Sequence, residues 1–408
     1  FFFQEDVDTE DRLTFGNGMR SFFDVLLAAG GAAGLLEGVE GVYGITPGSF
    51  FGAGSFANTE FDQDNDAYSL FANVDYHLSD DLTATFGLSY TNDEKDLQIK
   101  QTNTDVLSAV DIDNDPTLFG VPLSLIPTLA PAIPTVKSLQ FLPQVLEVPN
   151  AVENGNTSDS KTTWSVRMAY ELDRNFNFFA AAATGFKASS WNLSRDTRPF
   201  QADQSALETA GLSQVNQNYG GRFAAPEKAT VYELGMKARF KKGGINVTVF
   251  DQTIKGFQSS IFIGTGFVLA NAGQQSTKGI EFDSVYKPTD EWAFTLAGTF
   301  LDPVYDSFVG ASGISGPVDL SGQQPASIHK RSITTGVSYN FELDGGMYGY
   351  VRTDYLYESD IHVAENVPES LSRQVNTVNA SAGLNLENGL SLQLWVRNLT
   401  NDEHYLSA

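Results

Sequence analysis

Six times along the chain an alternating apolar and polar run closes on a short polar turn, and a second such run begins at once. The six junctions read YHLSDDLTAT, YELDRNFNFF, ARFKKGGINVT, VYKPTDEWAFT, YNFELDGGMYGY and LNLENGLSLQL. A period of two marks a strand that shows different surroundings to its two faces, and a short polar link makes each pair an antiparallel hairpin. Connections between one hairpin and the next are mostly long. Short turns at one end and long loops at the other, repeated over 408 residues, predict an all-β fold, a transmembrane antiparallel β-barrel with long extracellular loops. A soluble sandwich would not collect its long loops at one end.

The two faces of each run support a membrane setting. Leu82, Ala84, Phe86, Leu88 and Tyr90 oppose Thr83, Thr85, Gly87, Ser89 and Thr91; Tyr232, Leu234, Met236, Ala238 and Phe240 oppose Glu233, Lys237 and Arg239. The same division holds for Trp164 to Leu172 and for Val378 to Leu386. A charged residue turned to the bilayer midplane costs about 2 to 4 kcal/mol, so the polar face lines a wet interior. Aromatics gather beside the short turns: Tyr76, Tyr170, Phe240, Tyr286, Tyr339 and Phe341 before them, Phe176, Phe178, Trp292 and Tyr348 after. Amphipathic rings favour the headgroup level, so these predict one interfacial girdle.

Thirteen strands are expected, at 1–15, 66–78, 82–93, 161–172, 176–187, 228–240, 245–258, 267–287, 291–302, 327–341, 346–358, 374–386 and 390–399. An odd number does not close a bacterial single-chain barrel. The sequence from Phe1 onward holds no signal peptide, so the export signal is expected upstream, and no closing strand follows Tyr405, so residues 1–408 are expected to be an internal piece of one longer barrel protein. The loops at 16–64, 94–160 and 188–226 exceed ordinary connections, and the first two carry apolar stretches rich in Gly and Ala or in Pro. Apolar surface of that extent meets a partner, a ligand or another loop.

Charge and composition narrow the chemistry. A net charge of −25 argues against nucleic acid as a partner, and the absence of cysteine suits a chain that crosses an oxidising periplasm unfolded. The longest apolar stretch, 25–36, is shorter than a membrane-spanning helix. The runs Asp62, Asp64, Asp66 and Asp111, Asp113, Asp115 set alternate carboxylates in expected loops; such a run can offer calcium three hard oxygen ligands, although a solvated acidic loop has the same composition. In the third loop Trp191, Arg195, Arg198 and Phe200 form a candidate ligand patch, since arginine grips carboxylate, phosphate or catecholate oxygens and a ring stacks on a sugar or aromatic face. Arg pairing with neighbouring loop carboxylates is the plainer reading. Inside the barrel, Arg167, Lys237, Arg239 and Arg352 share the polar side with Glu171, Glu233 and Asp354, placed to form ion pairs along the wall or, in a barrel of the plugged kind that the resemblance below implies, to bind the plug. His77, His329, His362 and His404 lie apart, no nucleophile spacing or phosphate cradle is present, and no enzyme or cofactor is expected beyond structural calcium.

Four segments in order, ATGFKASSWN at 183–192, APEKATVYELGMKARF at 225–240, NAGQQSTKGIEFDSVYKPTDEW at 271–292 and WVRNLTNDEHY at 395–405, resemble the barrel of TonB-dependent outer-membrane receptors. The resemblance implies a 22-stranded type of barrel with a plugged lumen; if the piece missing at the C-terminus is one closing strand, these thirteen strands would be the ninth to the twenty-first. It implies integral outer-membrane localisation and energised uptake of a scarce ligand such as a siderophore, cobalamin or oligosaccharide, driven by TonB and the inner-membrane motor through a plug outside this sequence. Lipopolysaccharide and outer-membrane lipid are the expected surroundings. A passive porin, or a structural barrel docking a surface lipoprotein or neighbouring complex through its loops, are the alternatives.

Overall fold

The computed structural model describes the chain apart from residues 30, 113–116, 119–120, 123–132, 142–154, 195–197, 214–216, 218, 263–266, 314–315, 366–371 and 405–408. Thirteen strands form one sheet in which each pairs antiparallel with its neighbours in chain order. They are β1 (Phe2–Thr14), β2 (Phe56–His77), β3 (Leu82–Asn103), β4 (Asn156–Asp173), β5 (Phe176–Lys187), β6 (Glu227–Phe240) and β7 (Gly243–Lys255). Then follow β8 (Gln274–Tyr286), β9 (Trp292–Ser307), β10 (Arg331–Leu343), β11 (Met347–His362), β12 (Ser372–Asn385) and β13 (Ser391–Val396). Both the strand count and the alternation of short turns with long loops agree with the sequence.

Register carries each apolar face across the sheet. Leu82, Ala84, Phe86 and Leu88 on β3 lie opposite Tyr170, Met168, Val166 and Trp164 on β4; Leu234 and Met236 on β6 lie opposite Val249 and Val247 on β7. Leu70 is 70% exposed, Leu88 58% and Leu234 59%, an apolar belt that only a lipid surrounding makes stable. Tyr348 corrects the expected girdle: it is opposite Glu342 and Asn385, so it faces the lumen, where its hydroxyl donates to Asn340 Oδ1 (3.0 Å).

A second girdle emerges that the turns did not mark. Tyr68 stands eight residues above Tyr76 on β2, Tyr232 eight above Phe240 on β6, and Phe300 eight above Trp292 on β9, all on the apolar face. At about 3.3 Å per residue and the usual barrel tilt, the two rings of aromatics are about 20 Å apart along the membrane normal. Inside this belt several rings lie over a glycine directly opposite, as Phe179 over Gly235 and Tyr350 over Gly383, where an added Cβ would come within 2.3 and 2.2 Å of the ring. The glycine lets the ring lie flat on the neighbouring strand.

Strand ends depart from expectation at the extracellular side. β2 starts at Phe56 instead of 66 and β3 runs to Asn103 instead of 93, so 22-residue strands stand well above the outer girdle. The expected strand 267–287 breaks at Ala272 and Gly273: Phe267–Asn271 pairs with Gln258–Phe262 as a hairpin outside the sheet. Gly256, at φ +65°, ends β7 before that hairpin.

The first two long loops fold on one another. Helices α1 (Met19–Ala29) and α2 (Leu35–Val42) of the first loop and α3 (Ile133–Leu139) of the second enclose one core of Phe15, Phe23, Leu36, Phe51, Leu107 and Phe141 with their neighbours. Phe23 stacks on Phe51 with centroids 4.0 Å apart. Fully buried Glu40 pins the core by accepting from Arg20 Nη1 (2.6 Å) and from the amides of Phe50 (2.8 Å) and Gly48 (2.9 Å). Burial pushes the Glu40 carboxyl up, yet Arg20 and the two amides outweigh it and hold the group below its usual range.

Candidate functional site

At the mouth, the tall β2–β3 hairpin presents Phe61, Leu97 and Ile99 inward, and the third long loop lies against them. The loop is held by a two-residue ladder, Ser190–Trp191 with Phe223–Ala224. Trp191 is 6% exposed, donates its indole N–H to Thr157 Oγ1 (3.0 Å), and packs on Phe223 (5.1 Å) and Phe200 (6.2 Å). Of the candidate ligand patch, the fold thus brings Trp191 and Phe200 together in a buried aromatic cluster. Arg198 lies beside it, its Nη2 donating to the Gly221 carbonyl (3.4 Å), and Arg195 is outside the described residues.

Sequence reading missed Arg222. Its guanidinium is 1% exposed, sits 5.0 Å from the Phe200 ring centre, and burial lowers its pKa to about 10. A lone arginine between Gly221 and Phe223 carries no periodic or motif signal. Sequence resemblance did flag Asn271 and the segments at 183–192 and 225–240 that are braced at this rim, but not Gln258. Asn271 accepts the Ala225 amide (2.7 Å) and donates to the carbonyls of Ala225 (2.8 Å) and Gly256 (2.7 Å), tying three segments with one side chain. Gln258 Nε2 donates to Ala188 O (2.9 Å) and Ala225 O (3.1 Å), and the Gln258 amide reaches Glu227 (2.7 Å).

The lumen wall is largely polar in the belt, with Phe179, Ala181, Ala183 and Val231 as apolar positions on β5 and β6. Arg352 pairs with Asp354 (2.8 Å), one of the expected ion pairs along the wall, whereas Arg167 lies 4.7 Å over the Phe179 ring. Lys237 and Arg239 share that inner face with Glu233. On β7–β10 a concavity of about 340 Å³ is lined by Asn246, Thr248, Glu281, Asp283, Thr299 and Ser332 among others, and Asn246 donates to Asp283 (2.9 Å). This wall offers hydroxyl, amide and carboxylate contacts to water or to a polypeptide filling the lumen.

Placement of the acidic runs is corrected. Asp62, Asp64 and Asp66 lie within β2 and not in a loop; their alternate spacing turns all three to the outer face, strung along the strand where loop ligands would converge. Asp111 follows the short turn of helix at Leu107–Ala109, and its carbonyl accepts from Tyr43 Oη (3.0 Å); Asp113 and Asp115 are outside the described residues. Among the described residues no three His, Cys, Asp or Glu side chains converge as a metal site.

Comparison with known proteins agrees with this architecture. Residues 3–399 match the model of the TonB dependent receptor-like β-barrel family. The fold is similar to the ferric yersiniabactin uptake receptor FyuA of Yersinia pestis (TM-score 0.57, 13% identity, 85% of this chain and 44% of that one). It is also similar to the ferric-catecholate import receptor Fiu of E. coli K12 (0.52, 15%, 87% and 42%) and to the copper transporter OprC (0.51, 11%, 85% and 48%). This chain therefore spans less than half the length of each of these three proteins. Curated protein sequences give no match. With thirteen antiparallel strands, a lipid-facing belt, a polar inner wall and a family match over nearly its whole length, the chain belongs to the TonB-dependent receptor β-barrel family and is an integral protein of the bacterial outer membrane.

Proposed function

We propose that the chain forms wall and mouth of an active importer that takes a small, scarce ligand, of the siderophore, cobalamin or oligosaccharide class, through a plugged lumen. TonB and the inner-membrane motor supply the energy. The observation that carries this reading is the pairing of a charged, hydrated inner wall with an extracellular end where the long loops build their own cores. A passive pore gains nothing from folded loop cores of this size, whereas a receptor needs a shaped surface that holds a ligand while the lumen is blocked. The uptake, import and transport named for FyuA, Fiu and OprC lend this reading further support.

Uptake by cells carrying the intact protein, with and without TonB, tests it. Accumulation of labelled ferric siderophores, cobalamin or oligosaccharides is expected only with TonB. TonB-independent permeation together with a large steady conductance in planar bilayers would replace this reading by a porin. A docking reading has one observation in its favour, the exposed stripe of Phe22, Val25 and Leu26 on α1. Co-purification of a surface protein lost on Val25→Asp would support it.

A further inference from the structure

His329 stands just before β10, on a segment tied to the end of β11. Ser327 donates through its amide to His362 O (2.9 Å) and through its hydroxyl to Val363 O (3.0 Å). Glu365 accepts from the Ala326 amide (3.0 Å) and from Tyr305 Oη (2.6 Å). The imidazole therefore has a fixed seat. Beside it are Glu358 of β11 and Arg373 of β12, which by strand alternation share the inner, mouth-facing side of the sheet with Asp354 and Asn379.

Three distances place the protons. A guanidinium only donates, so the contact of Arg373 Nη2 with His329 Nε2 (3.1 Å) makes Nε2 an acceptor. The ring proton then sits on Nδ1, which donates to the Ser359 carbonyl (2.6 Å). One contact opposes this neutral ring: Glu358 Oε2 is 3.2 Å from the same Nε2, lone pair against lone pair. That conflict disappears when Nε2 takes a proton from water, because Nε2–H then donates to Glu358 while Nδ1–H keeps Ser359. Arg373 is the group displaced. Its guanidinium would face an imidazolium at the same short distance, and its pairing with Glu358 is already long at 3.9 Å. Its Nε–H is buried with no partner among the described residues, so the present arrangement holds it by few bonds. Lys330 and Arg331 follow His329 on its own segment, and Glu365 is taken up by Tyr305 and Ala326. Among the described residues no other charged side chain touches the imidazole.

We propose that Arg373 is an anion-binding residue of the mouth held in reserve by His329. With the ring neutral, the guanidinium caps Nε2; when Nε2 takes a proton, Glu358 passes to the imidazolium and the guanidinium is freed for a ligand that carries anionic oxygens. The mouth gains one positive charge while Ser359 still holds the loop. The ligand is the one that the importer reading supplies, and the role of Arg373 in binding it rests on that reading; the exchange of partners does not.

The test labels the intact protein in detergent with phenylglyoxal and follows Arg373 by peptide mass spectrometry. Rates are taken as a ratio to exposed Arg174 of the β4–β5 turn, which cancels the pH dependence of the reagent. Between about pH 8 and about pH 5, where an imidazole changes charge, the ratio is expected to rise about fivefold, and in His329→Gln to stay level. A level ratio in wild type overturns the proposal, as does a rise that survives His329→Gln in a barrel with normal heat-modifiable mobility. Glu358→Gln keeps the ring in place and should move the rise to lower pH, since the imidazolium loses its carboxylate; an unmoved rise overturns the exchange. Sulfate in place of chloride at equal ionic strength should slow Arg373 only at the acid end, and equal effects at both ends overturn the anion-binding role. Labelling needs neither TonB nor a transported ligand, so loss of TonB-dependent uptake would sink the importer reading and leave the exchange standing.

Discussion

The β2–β3 hairpin and the β5–β8 wall belong to one sheet, yet their strands are 22 residues long on one side and 12 to 14 on the other. Both cross the same belt of about nine residues between the two aromatic girdles. What differs is the remainder. The β5–β8 strands end a few residues above Tyr232, whereas β2 and β3 continue into water, where the outer face turns acidic and the inner face is covered by loops. One backbone ladder thus serves two solvents, and each sets its own rule for which side chains the strand tolerates.

The loop cores are the most breakable part of the tall side. Phe51→Ala empties the centre of the first-loop core and removes the stack on Phe23, a loss of about 3 to 5 kcal/mol to that core. Limited proteolysis should then cut within 16–55 while the barrel keeps its heat-modifiable mobility; equal protection of both would mean that the loops owe their order to the wall. Glu40→Gln should cost about 3 kcal/mol by leaving Arg20 without its buried partner. Because the Glu40 carboxyl is held below its ordinary value of about 4.3, its contribution is complete above that value and fades as pH falls through the folded one. Asp105 runs the other way: burial raises it against the amides of Phe51, Ser108 and Leu107, so its contribution is complete below the ordinary carboxyl value and fades as pH rises through the raised one. Proteolytic protection from about pH 3 to 7 should therefore lose its acid limb in Glu40→Gln and its rising-pH decline in Asp105→Asn.

On the wall the sharpest contact is Phe179 over Gly235. Gly235→Ala places a methyl group inside the ring position, and since the ring lies flat between strands it yields only by leaving its rotamer, at about 1 to 3 kcal/mol. The urea midpoint of the folded barrel in detergent should fall, with the loop core unchanged. A midpoint equal to wild type would show that the ring moves freely in the lumen.

Where the two surroundings of a strand contrast, the sequence is legible. Lipid against lumen writes a period of two, so Leu82 to Tyr90 and Tyr232 to Phe240 revealed their faces, their partners and the lower girdle. The upper halves of β2 and β3 were not legible, because Asp62, Gln63, Asp64, Asn65 and Asp66 are polar on both faces and look like a loop. Helices α1 and α2 were hidden by Gly31 and Gly34, which end and begin them and made the segment look like apolar loop. For Trp191 the motif pointed to the right segment, yet its burial depends on Phe61, Leu97 and Ile99, roughly a hundred residues earlier. Arg222 depends likewise on Phe200 across the loop. Contacts of this reach leave no local pattern.

The smallest effect discriminates most finely between the two sides. Slight desolvation and then the charges of Asp6, Asp62, Asp66 and Asp96 raise the Asp64 carboxyl above its usual range, so the ionised sheet carries a repulsive penalty at neutral pH that disappears as pH falls through the raised value. Asp64→Asn should slow amide exchange in residues 58–66 at pH 7 and at low ionic strength, with no effect near pH 4 or in about 1 M salt, where protonation or screening removes the repulsion in the native sequence as well. The same measurement on β6 should not respond. A slowing that persists at pH 4 would assign the effect to the side-chain amide and not to charge, and the acidic face of β1–β3 would then be a solvated surface whose repulsion is already quenched by water and counterions.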